Sequence, residues 1–182
     1  MTNPLPALLI AGFGGPGKTL VIDALLRHQP ADAQWALIAP AGLLGQRWNS
    51  EPPPQGLWIE TIAPGCPCCT GLTPFSAGLT ALLRRLRDKP VTRLLIEGSS
   101  EGHIAAVARL LQGEALREHV RLTHALAVID PVWLANPAAQ AQAALAELAQ
   151  AADSLVAAPW NEAWNKNPLA RSEFTAFANR FT

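Results

Sequence analysis

The chain has 182 residues, with 14 basic and 14 acidic side chains, a formal net charge of +0, 49% hydrophobic content and only 15% charged residues. That is the size of one globular domain with a sizeable core. The balance excludes a disordered tail, a collagen-like rod and a protein that holds nucleic acid or an anionic membrane by its overall charge.

The N-terminal stretch is apolar but lacks the basic region of a secretory signal, and it leads straight into a motif that needs ordered backbone. Ala7–Ala11 is apolar throughout, as a strand buried on both faces should be. Gly12–Thr19 follows as GFGGPGKT and satisfies G-x-x-x-x-G-K-[ST]. A strand before it and a helix after it, Lys18–His28, give the match the context of a phosphate loop. Gly12, Gly14, Gly15 and Gly17 let the backbone curl so that its N–H groups face a phosphate, and the helix N-terminus adds positive potential. Lys18 would reach the β- and γ-phosphates, and the Thr19 hydroxyl would coordinate Mg²⁺. Pro16 removes one amide from that cradle, which weakens it modestly.

Trp35–Ala39 is the second strand. Ser50–Gly56 (SEPPPQG) is a loop insertion, and Leu57–Ile62 the third strand. Cys66, Cys68 and Cys69, the chain's three cysteines, then fall inside GCPCCT at Gly65–Thr70. An odd, clustered set reads as metal or redox chemistry rather than a disulfide framework. Three thiolates so close together suit Zn²⁺ or another thiophilic ion. A structural zinc site normally closes with four ligands. Three leave an open or exchangeable site, or one completed by a second copy of the chain in a homodimer; His103 is a candidate fourth ligand.

Thr73–Arg87 reads as a helix that stops before Pro90, with Arg84, Arg85 and Arg87 as a solvated face favoured by the helix dipole. Arg93–Glu97 is a buried strand, His103–Leu111 a helix, Leu122–Ile129 a strand, Ala135–Ala152 an Ala-rich helix and Ser154–Ala157 a short last strand. Leu169–Phe181 has the pattern of an amphipathic helix. Trp35, Trp58 and Trp133 read as core or rim packing. Strands separated by helices imply βαβ units, hence an α/β fold with a mostly parallel central sheet in one domain over 1–182. No apolar run reaches the ~18–20 residues needed to cross a bilayer, so the expected location is the cytoplasm.

The order GFxGxGKT, then GCxCCT, then a strand ending Ile96-Glu97-Gly98-Ser99 resembles the CobW/HypB/UreG GTPases from Leu8 to about Val156. The cysteine motif resembles their CobW-like metal-chaperone branch. The resemblance implies a three-layer P-loop NTPase fold that binds GTP with Mg²⁺ and couples nucleotide state to handling of Zn²⁺ or Co²⁺ for a client metalloprotein. It matches Gly12, Phe13, Gly15, Gly17, Lys18 and Thr19 to the phosphate loop, and Gly65, Cys66, Cys68, Cys69 and Thr70 to the metal motif. Glu97 falls where the acidic residue of the Walker B strand polarises a water on Mg²⁺, which makes Lys18 and Glu97 the catalytic candidates. Asp130 and Ala152–Asp153 match residues that flank the later strands of the nucleotide site.

The departures are specific. The family's switch segment of form NEFGxxGxD is here Ala39–Arg47 (APAGLLGQR), which keeps Gly42 and Gly45 and loses the charged residues. The family's Thr-Ser/Thr-Gly after the Walker B position becomes Gly98-Ser99-Ser100, and its base-reading NKxD becomes Ala158-Pro159-Trp160-Asn161, with Asn165-Lys166 several residues late. A site built around the missing aspartate loses its main guanine discriminator. The expectation is therefore GTP or a less strictly chosen NTP, weak hydrolysis and no second C-terminal domain. The alternative is a degenerate, non-hydrolysing metal-binding or interaction module.

Overall fold

The computed structural model describes residues 3–13, 17–41, 53–63, 72–98, 104–130, 138 and 143–158. Their elements run β1 (Leu5–Phe13), α1 (Gly17–Arg27), β2 (Gln34–Pro40), β3 (Leu57–Ile62), α2 (Leu72–Leu86), β4 (Val91–Glu97), α3 (Ile104–Gln112), β5 (Val120–Ile129), α4 (Ala143–Ala151) and β6 (Ser154–Ala157). The six strands form one sheet in the order β3-β2-β4-β1-β5-β6, and every pairing is parallel. The expected mostly parallel sheet is thus wholly parallel among the described strands.

That order explains the layers. The chain steps from β1 toward the β3 edge, whereas β3 to β4, β4 to β5 and β5 to β6 all step the other way. Right-handed crossovers must then put α1 on one face and α2, α3 and α4 on the other. The two core clusters divide in this way. Val21 and Ile22 of α1 pack with Leu8, Ile10, Leu37 and Leu95. Leu79 and Leu82 of α2, Val107 of α3 and Leu145 and Leu148 of α4 pack with Leu9, Ile38, Leu94, Ile96 and Ala127. Both faces of β1, β2 and β4 are covered, so their centres are apolar without alternation. Each fully buried Leu or Ile contributes about 1.5–3 kcal/mol.

Two register shifts interrupt the ladders, and each leaves an extra threonine in one strand of the pair. In β5, Leu122 pairs with Ala7 and His124 with Leu8, so Thr123 is left over; its hydroxyl donates to the Ala7 carbonyl at 2.9 Å. In β4, Val91 pairs with Gln34 and Arg93 with Trp35, and the skipped Thr92 donates from its hydroxyl to the Gln34 carbonyl at 3.3 Å. In each bulge a side-chain hydroxyl bonds a carbonyl of the opposing strand where the pairing is interrupted.

Sequence expectations and elements agree in kind throughout, within a few residues at the ends. Only Ala143–Ala151 of the expected Ala135–Ala152 helix is described as a continuous helix, and the expected helix at Leu169–Phe181 lies outside the described residues. Arg85 is exposed, as expected of a solvated face, and its Nη1 also donates to Glu60 Oε2 at 2.6 Å across to β3.

Candidate functional site

β1 lies between β4 and β5, and the chain leaves it toward opposite sides of the sheet, first to β2 and later across to β5. The carboxyl ends of strands at such a reversal form the ligand crevice of open α/β sheets. Three candidate residues meet there. β1 ends at Phe13, just past Gly12, α1 begins at Gly17 with Lys18 in its first turn, and β4 ends at Glu97, which pairs with Ile10 of β1.

Packing, not only phosphate geometry, demands the glycines. A Cβ on Gly12 would stand 2.0 Å from the Val128 carbonyl oxygen of β5, an impossible contact. A Cβ on Gly17 would meet Val128 Cγ1 at 3.1 Å and Ala158 Cβ at 3.3 Å. Gly98, one residue past β4, donates its N–H to the Ile10 carbonyl at 2.7 Å and lies so close to Ala11 that a Cβ would sit 3.0 Å from Ala11 Cβ. Both ends of the loop are thereby locked onto the sheet. Gly14 and Gly15 lie outside the described residues.

Lys18 is the single buried polar or charged side chain among the described residues, 8% exposed. Its Nζ donates to the Gly12 carbonyl at 3.2 Å. An ammonium has three donors, so two remain for a further acceptor. Burial lowers its pKa from 10.5, and the charge of Glu97 opposes that shift. Glu97 shows the mirror image. Burial pushes its carboxyl up from 4.5 to about 7, and Lys18 works against the rise. Buried charges without full compensation are costly, so this pair is poised for additional partners: an anion at the ammonium and a cation at the carboxylate. The half-buried Thr19, next to Lys18 in the first turn of α1, supplies the hydroxyl.

The residues that flank the last strand act structurally. Asp153 grips β5 at one residue: its N–H donates to the Ala125 carbonyl at 2.9 Å and its Oδ2 accepts from the Ala125 N–H at 2.7 Å. His124 Nε2 lies 2.9 Å from Ser154 Oγ, and its Nδ1 is 3.8 Å from Asp153 Oδ2. This clip positions β6, and the Ala158 N–H continues the ladder onto the Ile129 carbonyl at 3.0 Å. Sequence reading left His124 unassigned; nothing in a lone histidine announces a partner 30 residues away. Asp130 follows β5 directly.

The structure brings Gly12, Gly17, Lys18, Thr19 and Glu97 to one end of the sheet. Cys66, Cys68, Cys69, His103, Ser99, Ser100 and the stretch Pro159–Lys166 lie outside the described residues, as does most of Ala39–Arg47. Among the described residues no group of three or more His, Cys, Asp or Glu could hold a metal ion. Nor is any described helix long and apolar enough to cross a membrane.

The zinc chaperone YeiR of Escherichia coli (strain K12) is 33% identical over 153 residues, which cover 82% of this chain and 44% of that protein. In three dimensions the chain is similar to the Zn(II)-bound YjiA GTPase from E. coli, with a TM-score of 0.68 at 18% identity over 97% of this chain and 55% of that one. It is more distantly similar to chloroplast FtsY from Physcomitrella patens, with a TM-score of 0.52 at 17% identity, covering 95% of this chain and 54% of that one. The chain spans about half the length of these relatives. The fold is therefore the α/β P-loop NTPase fold. The nucleotide-binding domain of the CobW/HypB/UreG family matches residues 6–166, and the chain belongs to that family.

Proposed function

We propose that this chain is a nucleotide-responsive zinc-handling domain, binding GTP or a less strictly chosen NTP through Gly12–Thr19 and Zn²⁺ or Co²⁺ through Cys66, Cys68 and Cys69. The observation that carries it is the buried Lys18 ammonium, held on one carbonyl with donors to spare, beside a Glu97 carboxyl that burial has driven toward neutrality. A fold gains nothing from burying such a pair unless a ligand compensates both members. Lys18 would neutralise the terminal phosphates, and backbone N–H groups at the start of α1 would hold them. Thr19 and Glu97 fit a Mg²⁺ ion, which when bound would offset the phosphate charge.

β3 ends at Ile62, at the same carboxyl end of the parallel sheet as the end of β1, and GCPCCT begins three residues later in sequence. Zinc in the names of YeiR and YjiA supports zinc as the cargo. Nucleotide-dependent ordering of the connections at that end would then alter metal affinity, delivering the ion to a client metalloprotein in the cytoplasm. The lost switch residues and the missing NKxD support weak hydrolysis and relaxed base choice. A metal site completed by a second copy would make the working form a homodimer.

The test is zinc affinity by competition with a chromophoric chelator, with Mg²⁺ plus GTP, with Mg²⁺ plus ATP, or with neither. Cys66→Ser should lose zinc, and Lys18→Ala should lose only the nucleotide effect. Zinc affinity indifferent to nucleotide in the unmodified chain would overturn the coupling.

A further inference from the structure

The interior of a helix is a poor place for glycine, which loses more backbone freedom on folding than any other residue and brings no side chain to pack. Among the described residues one glycine occupies such a position, Gly78 in α2. Space explains it. A Cβ there would overlap Ile62 Cγ2, with Glu60 Cγ and Ile38 Cδ1 each at 3.7 Å. Ile38 and Glu60 are register partners, and Ile62 is the last residue of β3. α2 therefore presses its bare backbone onto the carboxyl end of the β2–β3 pair. The overlapped atom is the branch methyl of a β-branched residue, whose χ1 is stiff, so no flexible tip can swing aside. Two turns further on, Arg85 Nη1 reaches Glu60 Oε2 at 2.6 Å and the Ile59 carbonyl at 3.4 Å. α2 is thus laid back along β3 and seated at two points, Gly78 on Ile62 and Arg85 on Glu60 and Ile59.

Ile62 is also a junction of the chain. Its carbonyl accepts the Ala41 N–H at 2.8 Å. Ala41 is the first residue after β2, on the stretch Ala39–Arg47, and Ile62 is the last residue of β3 before the run to Cys66. The nine residues 63–71 carry all three cysteines; they leave the sheet at Ile62 and end where α2 begins at Leu72. Leu72 stands six residues before Gly78, about 9 Å along the helix axis. One contact, Gly78 on Ile62, thus sets the relative placement of the two anchors of the cysteine segment. Cys66 comes only four residues after Ile62, and Pro64 and Pro67 limit how far so short a link can readjust.

We infer that Gly78 and Ile62 are positioning residues for the cysteine motif: the Ile62 side chain, seated on the Gly78 backbone, holds the two anchors of residues 63–71 in the relation that lets the thiolates converge on one ion. Groups that orient metal ligands without touching the ion typically carry about 10–100-fold of the affinity. Through the Ala41 hydrogen bond the same seat ties the root of the motif to the root of the segment that follows β2. That the motif takes a metal rests on the function proposed above; the seat itself does not.

The test compares the unmodified chain with Gly78→Ala, with the double variant Gly78→Ala/Ile62→Leu, and with Asp153→Ala, a destabilised control at the opposite edge of the sheet. Leucine has no methyl branch on its Cβ, so the double variant removes the overlapped atom. Co²⁺ is titrated and followed by its thiolate-to-metal charge-transfer band, and exchange of the Ala41 amide is measured on the metal-free protein. In Gly78→Ala, cobalt should bind about tenfold more weakly with altered d–d absorption, and Ala41 should exchange about tenfold faster. The double variant should return both toward the unmodified values and Asp153→Ala should change neither, a pattern that a general loss of stability does not produce. Ile62→Ala empties the seat without any overlap and should also weaken cobalt, so the test stands if Gly78→Ala does not fold. Unchanged cobalt binding in the seat variants, or an equal loss in Asp153→Ala, would overturn the inference. If the unmodified chain gives no charge-transfer band, it is the metal reading that fails, and iodoacetamide alkylation of the metal-free cysteines decides the seat. A rate that changes in Gly78→Ala and recovers in the double variant upholds it; a rate that does neither overturns it.

Discussion

Lys18 and Glu97 attract one another across the ends of α1 and β4, and in both residues burial outweighs the attraction: the ammonium falls below 10.5 and the carboxyl rises to about 7. Neither side chain is adequate solvent for the other. The pair therefore behaves as a half-built site whose energy improves when charge arrives from outside.

The pH dependence follows with a definite sign. Glu97 binds its proton more tightly folded than unfolded, so its contribution to stability is fully present below about 4.5 and is lost as pH rises through about 7. The full shift corresponds to at most about 3 kcal/mol. Glu97→Gln should flatten this part of the stability profile and be the more stable protein at pH 8. Urea unfolding of the nucleotide-free, metal-free protein from pH 4.5 to 8 checks it. Parallel profiles for the two proteins would refute the assignment.

Lys18→Ala removes the charge that holds Glu97 down, so the fall in stability should move to higher pH than in the unmodified chain. The same variant should lose the gain from Mg²⁺ and GTP, which at about 100 times Kd is roughly 2.7 kcal/mol. Thermal unfolding with and without nucleotide measures both effects. Retention of the nucleotide shift would remove Lys18 from the binding site.

Gly12→Ala should cost about 3 kcal/mol or more, because the new methyl would overlap a backbone oxygen of β5 that cannot rotate away. Gly98→Ala meets the Ala11 methyl at 3.0 Å and should cost less, on the order of 1 kcal/mol. Denaturation midpoints in the order unmodified, Gly98→Ala, Gly12→Ala are expected; equal midpoints would show that the strands shift freely.

Asp153→Ala should destabilise by about 1–2 kcal/mol through the lost acceptor for the Ala125 N–H, and Asp153→Asn, which keeps an oxygen there, by less. Hydrogen exchange at the Ala125 amide is the local readout. It should accelerate in the alanine variant while Leu9 and Ile96 stay protected.

Much of this was legible in the chain. β3 and β6 have the bounds their sequence suggested, because sharp signals flank them: Gly56, at φ of +80, closes the turn before β3, and Asp153 precedes β6. β1, β4 and β5 run two residues further at their N-terminal ends than their apolar cores, since Leu5 and Pro6 pair with Val120 and Arg121, and Val91 pairs with Gln34. Pairing with a neighbour, not hydrophobicity, sets those limits. Thr92 and Thr123 read only as strand-favouring residues, and their skipped registers depend on a partner strand far away in sequence. At the site, the identities of Lys18 and Glu97 were readable but the protonation of Glu97 was not, because burial is a property of the assembled ends of several strands. The exposure of Arg85 was readable, but its pairing with Glu60 was not, because that partner sits across a helix–strand interface.

The contact between Gly12 and Val128 bears on how such chains drift over evolutionary time. Selection for folding alone preserves Gly12, so a descendant that no longer used nucleotide would still display the start of the motif. Lys18 has no such protection: its burial is a burden to the empty protein, and a lineage freed from nucleotide should exchange it early for an aliphatic residue. Among relatives of this chain, the lysine rather than the glycine is the residue whose persistence reports continued use of the site.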